Sequence, residues 1–252
     1  MPYADNGGLR IHYEELGGEH DLPPLVLVFG FGMTVLDWVD LGYVEALKDA
    51  FRLIAIEPRG HGTSDGSTNP DDYRLDLLAS DVIAVMNHLA IEKAIVGGYS
   101  LGAKIVLSLA SRHPQRLAGL VLGGFEFASE VRIEDDLVID SLRKGGPAWR
   151  DLWRRMMDLP PAMAERLLQA NTGALIALRE AEGCWESLAD AVHTIDVPCL
   201  LYAGEHCLGR NAVRAAASSI ASSRYVELAG LTHFQVLGES AWICSEVRRF
   251  FA

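Results

Sequence analysis

The residues best suited to chemistry are Gly98 to Gly102, which read Gly-Tyr-Ser-Leu-Gly and place Ser100 between two glycines. A short apolar run, residues 94–97, precedes them, and a helix-like run, residues 103–109, follows. A serine at a strand-to-helix turn adopts a strained backbone that pushes its hydroxyl out of the sheet, and flanking glycines avoid collisions with the neighbouring strand and helix. The first helical N–H groups then face whatever the serine attacks. The sequence therefore predicts a nucleophilic serine at position 100.

A serine hydroxyl is a weak nucleophile at neutral pH and requires a base, for which histidine has a suitable pKa. Of the eight histidines, His233 lies in a loop just after the last predicted strand. In an open α/β sheet this is the carboxyl edge, where ligands bind and where Ser100 is expected. His233 is therefore the predicted base.

Composition restricts the classes of protein to which the chain can belong. Its 252 residues are half hydrophobic and 22% charged, which suits a single large α/β domain. The net charge of −12 argues against nucleic acid or an anionic membrane as a partner. Four cysteines without a C-x-x-C pair predict neither a disulfide framework nor a structural metal.

Targeting signals are also missing from the sequence as given. The first residues lack the basic start and apolar stretch of a secretory signal, and no apolar run approaches the roughly 20 residues that span a bilayer. We therefore expect a cytoplasmic protein, while its oligomeric state stays open.

Strand and helix patterns alternate along most of the chain, as is typical of parallel β-α-β units. Leu9 to Glu14 alternates apolar and polar residues and predicts an antiparallel edge strand. Residues 25–29 and 53–56 are short and wholly apolar, which predicts central parallel strands covered on both faces. The series is completed by predicted strands at 117–123, 199–204 and 225–228 and predicted helices at 35–50, 75–89, 101–113, 211–221 and 240–251.

One long stretch, from about residue 128 to residue 196, contains no strand pattern. Four segments in it have helical spacing: 137–143, 149–157, 162–170 and 174–181. Because an insertion of this length is too long for an ordinary connection, we expect a helical lid, residues 128–196, on a core of residues 1–127 and 197–252. The alternative is that these helices only pad the sheet. The tryptophans of this stretch could line a hydrophobic pocket or anchor the stretch to the core, and we expect the anchoring role: Trp149, Trp153 and Trp185.

Five motifs in order resemble the α/β-hydrolase superfamily, from about Gly8 to Ala252. They are Phe29–Gly32, Arg59–Ser64, Gly98–Gly102, Gly204–Cys207 and Gly230–His233. The resemblance implies a mostly parallel sheet with helices on both faces and a helical cap inserted before the penultimate strand. The motifs do not identify the substrate, because this fold hosts many activities. We expect a small-molecule ester or lactone, without a cofactor or metal.

Attack on a carbonyl creates an oxyanion, which requires two preorganised donors. The resemblance implies that these are the backbone N–H groups of Leu101 and Phe31. Phe29 holds the position at which the familiar motif begins with histidine, which implies a more apolar wall. His206 fills the variable position of a Gly-Glu-x-Asp pattern, so it is a weaker candidate for the base than His233.

The third member of the catalytic set departs from the family pattern. An aspartate that orients the histidine commonly follows the penultimate strand, and this chain has Cys207 there. Loss of that carboxylate can reduce turnover by roughly four powers of ten. Glu126 is the first substitute, because some members of the superfamily carry their acid after the equivalent strand, and Glu205 is the second. Another acid, or a Ser-His dyad assisted by water, is the remaining possibility.

These residues predict a metal-independent serine hydrolase that cleaves an ester or lactone of a mostly apolar acid through an acyl-enzyme on Ser100. Two other functions stay open. One is a ligand-binding, receptor-like protein with slow or no turnover, which Cys207 favours, and the other is a carbon-carbon bond hydrolase. An aspartate at position 100 would have indicated epoxide chemistry instead.

Overall fold

The computed structural model describes residues 2–128, 131 and 133–252, and its centre is one eight-stranded sheet in the order β1-β2-β4-β3-β5-β6-β7-β8. Strands β1 and β2 are antiparallel to their neighbours, and β4, β3, β5, β6, β7 and β8 are parallel. The strands are β1 (Tyr3–Asn6), β2 (Leu9–Gly17), β3 (Pro24–Val28), β4 (Arg52–Ile56), β5 (Ala94–Tyr99), β6 (Leu117–Gly123), β7 (Cys199–His206) and β8 (Ser223–Thr232).

Ten α-helices cover this sheet within the described ranges. They are α1 (Asp37–Asp40), α2 (Tyr43–Leu47), α3 (Leu75–His88), α4 (Leu101–Arg112), α5 (Leu137–Arg143), α6 (Gly146–Arg154), α7 (Pro161–Leu168), α8 (Thr172–Glu182), α9 (Arg210–Ser219) and α10 (Ser240–Phe251). Helices α3 and α4 pack together on one face and α2 and α10 on the other. None of the described helices is both long and apolar enough to cross a bilayer.

The mostly parallel sheet with helices on both faces confirms the predicted fold class. Strands β4 and β5 are buried along their whole length, as expected of central strands that are apolar apart from Arg52 at the start of β4, which pairs with Glu15. The prediction of one helix over residues 35–50 is wrong. Gly42, with a φ of 84°, separates α1 from α2 at a turn that a side chain would strain.

Helices α5 to α8 lie between β6 and β7, within the stretch predicted to form a lid. Residues 129, 130 and 132 of that stretch, like residue 1 of the predicted core, lie outside the described residues, and the division into core and lid stays a prediction. Among the contacts that fasten this stretch to the sheet side of the molecule are those of Arg166 and Trp185. The Arg166 guanidinium in α7 donates to the carboxylates of Asp37 and Asp40, and Trp185 Nε1 donates to the Tyr73 carbonyl at 3.0 Å.

Buried charges hold the loop after β3 and the turn after β4 in place. The Glu57 carboxylate accepts hydrogen bonds from the backbone N–H groups of Val35 and Thr63, at 3.1 and 2.7 Å. In the same turn, Arg59 forms a buried ion pair with Asp81 of α3 at 2.7 Å, and Asp81 is fully inaccessible to solvent. Since buried ion pairs require close geometry, these contacts fix both loops relative to the sheet.

Candidate active site

Ser100 stands at the junction of β5 and α4 in a strained conformation, with φ 55° and ψ −117°. Such backbone angles are rare for a residue with a side chain and persist only where the surroundings enforce them. The flanking glycines show how. A Cβ on Gly98 would lie 2.5 Å from the backbone of Gly102, and one on Gly102 would lie 2.1 Å from the Val28 carbonyl oxygen. Helix α4 therefore approaches the sheet closely enough to hold the serine at the sheet edge.

His233 follows the last residue of β8 and reaches Ser100 across the sheet edge. Its Nε2 lies 3.1 Å from Ser100 Oγ, which is hydrogen-bonding distance for proton transfer. The hydroxyl of Tyr99 donates to the His233 carbonyl at 2.5 Å and fixes the backbone that carries the imidazole. The structure thus brings together the predicted nucleophile and base, whereas His206 is exposed.

The other ring nitrogen of His233 contacts a thiol. Cys207 Sγ lies 3.2 Å from His233 Nδ1, at the place where the family commonly has an aspartate. Neither proposed carboxylate reaches that nitrogen. Glu205 instead accepts a hydrogen bond from the Gly230 N–H at 2.7 Å, and the exposed Glu126 lines the mouth of the pocket without a hydrogen bond to His233.

The electrostatics of this contact differ from those of a carboxylate. Burial, reinforced by the charge of Lys104, lowers the pKa of His233 to about 4. Burial, together with the negative charge of Glu126, raises the pKa of the Cys207 thiol. At neutral pH both the imidazole and the thiol are therefore uncharged.

A neutral thiol does not define the tautomer of the histidine, because it is both a weak donor and a weak acceptor. Catalysis requires the proton on Nδ1, so that Nε2 can accept the proton of Ser100. A carboxylate enforces this tautomer because it only accepts hydrogen bonds, but the Cys207 thiol can also donate to Nδ1 of His233. The arrangement can perform proton transfer, although only the fraction of molecules with the correct tautomer is competent.

The two N–H groups expected to hold the oxyanion lie on either side of the serine. A Cβ built on Gly30 would lie 3.5 Å from Ser100 Cβ, so the loop that carries Phe31 passes directly beside the nucleophile. The Phe31 N–H has no hydrogen bond to any described residue. Leu101 opens helix α4, where the first N–H groups have no partner within the helix. The assignment of these two N–H groups to an oxyanion hole stays a prediction.

Ser100 and His233 face a cavity of about 290 Å³ with a largely apolar lining. Two side chains of α6, Trp149 and Trp153, were expected to anchor the inserted helices, and both are buried and also line this cavity. Both side chains belong to an aromatic wall along the cavity. Its neighbouring rings contact each other edge-on, with centroids 5.2 to 5.9 Å apart, in the order Phe31, Trp149, Trp153, Phe234 and His233.

A charged group at one end of the cavity was not found by sequence reasoning. Lys104 of α4 is 5% exposed, and its ammonium donates to Glu182 of α8 at 2.7 Å. Glu182 also accepts from Arg179, which pairs with Asp136 at 2.9 Å. The sequence did contain a signal for this group, because Lys104 interrupts the otherwise apolar run that follows Ser100. A lysine in such a run is buried only if its charge has a partner.

A larger cavity, of about 400 Å³, lies beside the turn after β4 and is lined by neither Ser100 nor His233. Among residues 2–128, 131 and 133–252, no group of three or more metal-ligating side chains could hold a metal ion.

Comparison with known proteins gives the family and the fold of the chain. Residues 23–177 match the family model described as alpha/beta hydrolase fold. Over 201 residues the chain is 30% identical to a putative 2-succinyl-6-hydroxy-2,4-cyclohexadiene-1-carboxylate synthase of Bacillus subtilis (strain 168), with 72% of each protein covered. Its fold superimposes on that of the enol-lactonase from Burkholderia xenovorans LB400 with a TM-score of 0.87, 25% identity and 99% of each chain covered.

Other relatives are similar over only part of their length. The chain is 41% identical over 119 residues to the dihydrolipoyllysine-residue acetyltransferase component of the acetoin cleaving system of Pseudomonas putida. That match covers 47% of this chain and 31% of the other protein. The chain therefore spans well under two thirds of this relative.

Proposed function

The chain belongs to the α/β-hydrolase fold family, and we propose that this hydrolase cleaves carboxylic esters or lactones through an acyl-enzyme on Ser100. The observation that carries the proposal is the 3.1 Å contact between Ser100 Oγ and His233 Nε2 at a strained turn beside an apolar cavity. A serine in this position also favours ester cleavage over epoxide opening, for which an aspartate would be expected as the nucleophile.

The reaction follows from the positions of these groups. Ser100 Oγ attacks the carbonyl carbon while His233 Nε2 takes its proton, and the N–H groups of Phe31 and Leu101 hold the resulting oxyanion. Collapse of this intermediate breaks the ester bond, and His233 returns the proton to the departing alkoxide. His233 then removes a proton from water, which attacks the acyl-enzyme, and the second collapse releases the acid and restores Ser100.

The apolar cavity and the comparisons support the substrate class. An aromatic wall beside the serine suits an acyl chain that is mostly hydrocarbon. The solved structure from Burkholderia xenovorans is named an enol-lactonase, and a lactone is a cyclic ester that requires the same attack on a carbonyl. A lactone would release its hydroxyl and its acid as one molecule.

Labelling with a fluorophosphonate probe, followed by mass spectrometry of the peptides, tests the nucleophile. We expect the adduct on Ser100, and no adduct together with loss of p-nitrophenyl butyrate hydrolysis in Ser100→Ala. Ser108→Ala is the matched control, because Ser108 is a buried serine of helix α4, which begins directly after Ser100. An unlabelled Ser100, or full esterase activity in Ser100→Ala, would refute the mechanism.

A ligand-binding protein with slow turnover is the second candidate, and the neutral thiol on His233 favours it. Tight binding of a small apolar ester that is recovered intact after prolonged incubation would support this candidate over the hydrolase.

A further inference from the structure

One exposed leucine borders the catalytic cavity. Leu208 is 87% exposed, more than any other large hydrophobic side chain of the described residues, and it does not pack against the hydrophobic core. A single exposed leucine on a protein surface is ordinary. Leu208, however, lines the cavity that contains Ser100 and His233, where a bound molecule can cover it. Its side chain is therefore placed to contact a ligand rather than to stabilise the fold.

The backbone around Leu208 is held in place although the side chain is exposed. On one side, the Cys207 N–H donates to the Gly204 carbonyl at 3.0 Å. On the other side, a Cβ on Gly209 would lie 2.2 Å from the Phe125 carbonyl oxygen, so the chain packs closely against the segment after β6. Leu208 thus offers its apolar surface at a defined place, and a ligand that covers it loses little affinity to ordering of the backbone.

The position of Leu208 relative to His233 indicates which part of an ester it would meet. Leu208 directly follows Cys207, whose Sγ lies 3.2 Å from His233 Nδ1. During ester cleavage the departing alkoxide takes its proton from the catalytic histidine, so the alcohol part of the ester lies on the histidine side of the scissile bond. Because Leu208 adjoins a residue in contact with that imidazole, it borders the same side of the cavity.

The other side chains at the mouth of the cavity indicate what kind of alcohol fits there. Val138 of α5 lines the cavity and follows Leu137, which is 73% exposed. Glu126 lines the cavity too, and its negative charge helps to raise the pKa of the Cys207 thiol, which places this carboxylate close to Leu208. Hydrocarbon is favoured beside the apolar side chains, and an anionic group is disfavoured beside the carboxylate.

We propose that Leu208 binds the alcohol part of the substrate, and that this part is an uncharged hydrocarbon group that extends from the scissile bond to the mouth of the cavity. The inference rests on the proposed ester or lactone hydrolysis at Ser100. The substrates are then esters of apolar alcohols, or lactones with an alkyl substituent on the carbon that carries the ring oxygen. Leu208 determines the specificity for this part of the substrate.

The test compares two isomeric esters that differ in which side of the ester bond carries the longer chain. Hexyl butyrate has the longer chain in its alcohol, and ethyl octanoate has it in its acid. Both leaving groups are primary alkanols, so the chemical step is alike. The readout is the ratio of kcat/KM for hexyl butyrate to that for ethyl octanoate, measured by titration of the released acid at concentrations at which both esters are dissolved.

Three variants accompany the wild-type protein. Leu208→Ser removes the apolar surface, and Leu208→Met keeps an apolar side chain of similar size. Leu36→Ser is the matched control, since Leu36 is a leucine that is 48% exposed and does not line the catalytic cavity. Because Leu208 is exposed and does not pack against the core, we expect both of its variants to fold like the wild-type protein.

We expect the wild-type protein to prefer hexyl butyrate. Leu208→Ser should lower the ratio by at least about fivefold, because serine lacks the apolar surface that the hexyl chain would cover. Leu208→Met and Leu36→Ser should both retain the preference. A role of Leu208 in stability alone would change both esters equally and leave the ratio as it is.

A wild-type protein that hydrolyses ethyl octanoate as well as hexyl butyrate overturns this inference and leaves the proposed function in place. An unchanged ratio in Leu208→Ser also overturns it. Size-exclusion chromatography provides a second measurement, since a wild-type dimer that becomes monomeric in Leu208→Ser would assign this leucine to an interface between copies instead. Absence of hydrolysis of both esters, with Ser100 unlabelled by a fluorophosphonate, refutes the proposed function itself.

Discussion

Replacement of Cys207 by aspartate should increase catalysis rather than reduce it. A carboxylate at this position accepts the Nδ1 proton of His233, selects the catalytic tautomer and stabilises the imidazolium formed when Ser100 is deprotonated. The thiol, 3.2 Å from Nδ1, provides no charge for this purpose.

The size of the gain follows from the pKa of His233. A decrease from the usual 6.5 to about 4 disfavours the imidazolium by about 3.4 kcal/mol. If the new carboxylate recovers all of this free energy, the step that forms imidazolium accelerates by at most about 300-fold. Because the aspartate must itself be desolvated, we expect kcat/KM to rise by about ten- to 100-fold.

The pH dependence of kcat/KM on p-nitrophenyl butyrate measures the same change independently. Neutral His233 is the active base, so activity falls as the pH decreases through the pKa of the folded protein. The wild-type protein should therefore retain activity as the pH is lowered, until kcat/KM begins to fall near pH 4. In Cys207→Asp the pKa of His233 rises, and the acid limb should move toward the usual histidine range.

Cys207→Asn is the control, because asparagine has the shape of aspartate without its charge. Cys207→Asn should neither increase kcat/KM nor raise the pH at which activity falls on the acid side of the profile. If Cys207→Asp is no faster than Cys207→Asn and the acid limb stays in place, the thiol does not limit the base, and the reasoning about the tautomer is incorrect.

Two further predictions concern residues near the site. Glu126→Gln and Glu205→Gln should each retain kcat within about twofold on p-nitrophenyl butyrate, because neither carboxylate contacts the His233 imidazole. A tenfold loss of kcat in either variant would identify that residue as the acid of the catalytic set. Arg59→Met should lower the free energy of unfolding by about 3 to 5 kcal/mol, because it leaves the buried Asp81 carboxylate without a counter-charge, with the Asn6 amide and the N–H of residue 59 as donors. Urea titration measures this loss, and a change below about 1 kcal/mol would contradict it.

The parts of the site that local sequence determines were predictable. The pentapeptide around Ser100 combines a strand end, a turn that needs glycines and a helix start, and each of these is set by neighbouring residues. His233 was predictable because the carboxyl ends of parallel strands meet at one edge. Strand β1 was not predicted, since its four residues are held by a turn at Gly7 and Gly8 and by pairing with β2.

Contacts that depend on tertiary packing could not be derived from local sequence. The position of Cys207 beside His233 was expected only from the family resemblance, and the shift in register between β7 and β8 after Gly204 is an irregularity that no local pattern specifies. Lys104 was overlooked because the rotation of α4 relative to the inserted helices decides whether its side chain meets solvent or Glu182. Such contacts join segments far apart in the chain.

The distribution of the catalytic groups over the sheet determines when Ser100 becomes reactive during synthesis of the protein. The elbow lies between β5 and α4, whereas Cys207 and His233 follow β7 and β8, which are synthesised later. A nascent chain that has folded only as far as β6 carries Ser100 without the predicted base. The proposed nucleophile is therefore expected to stay inert until β8 has joined the sheet.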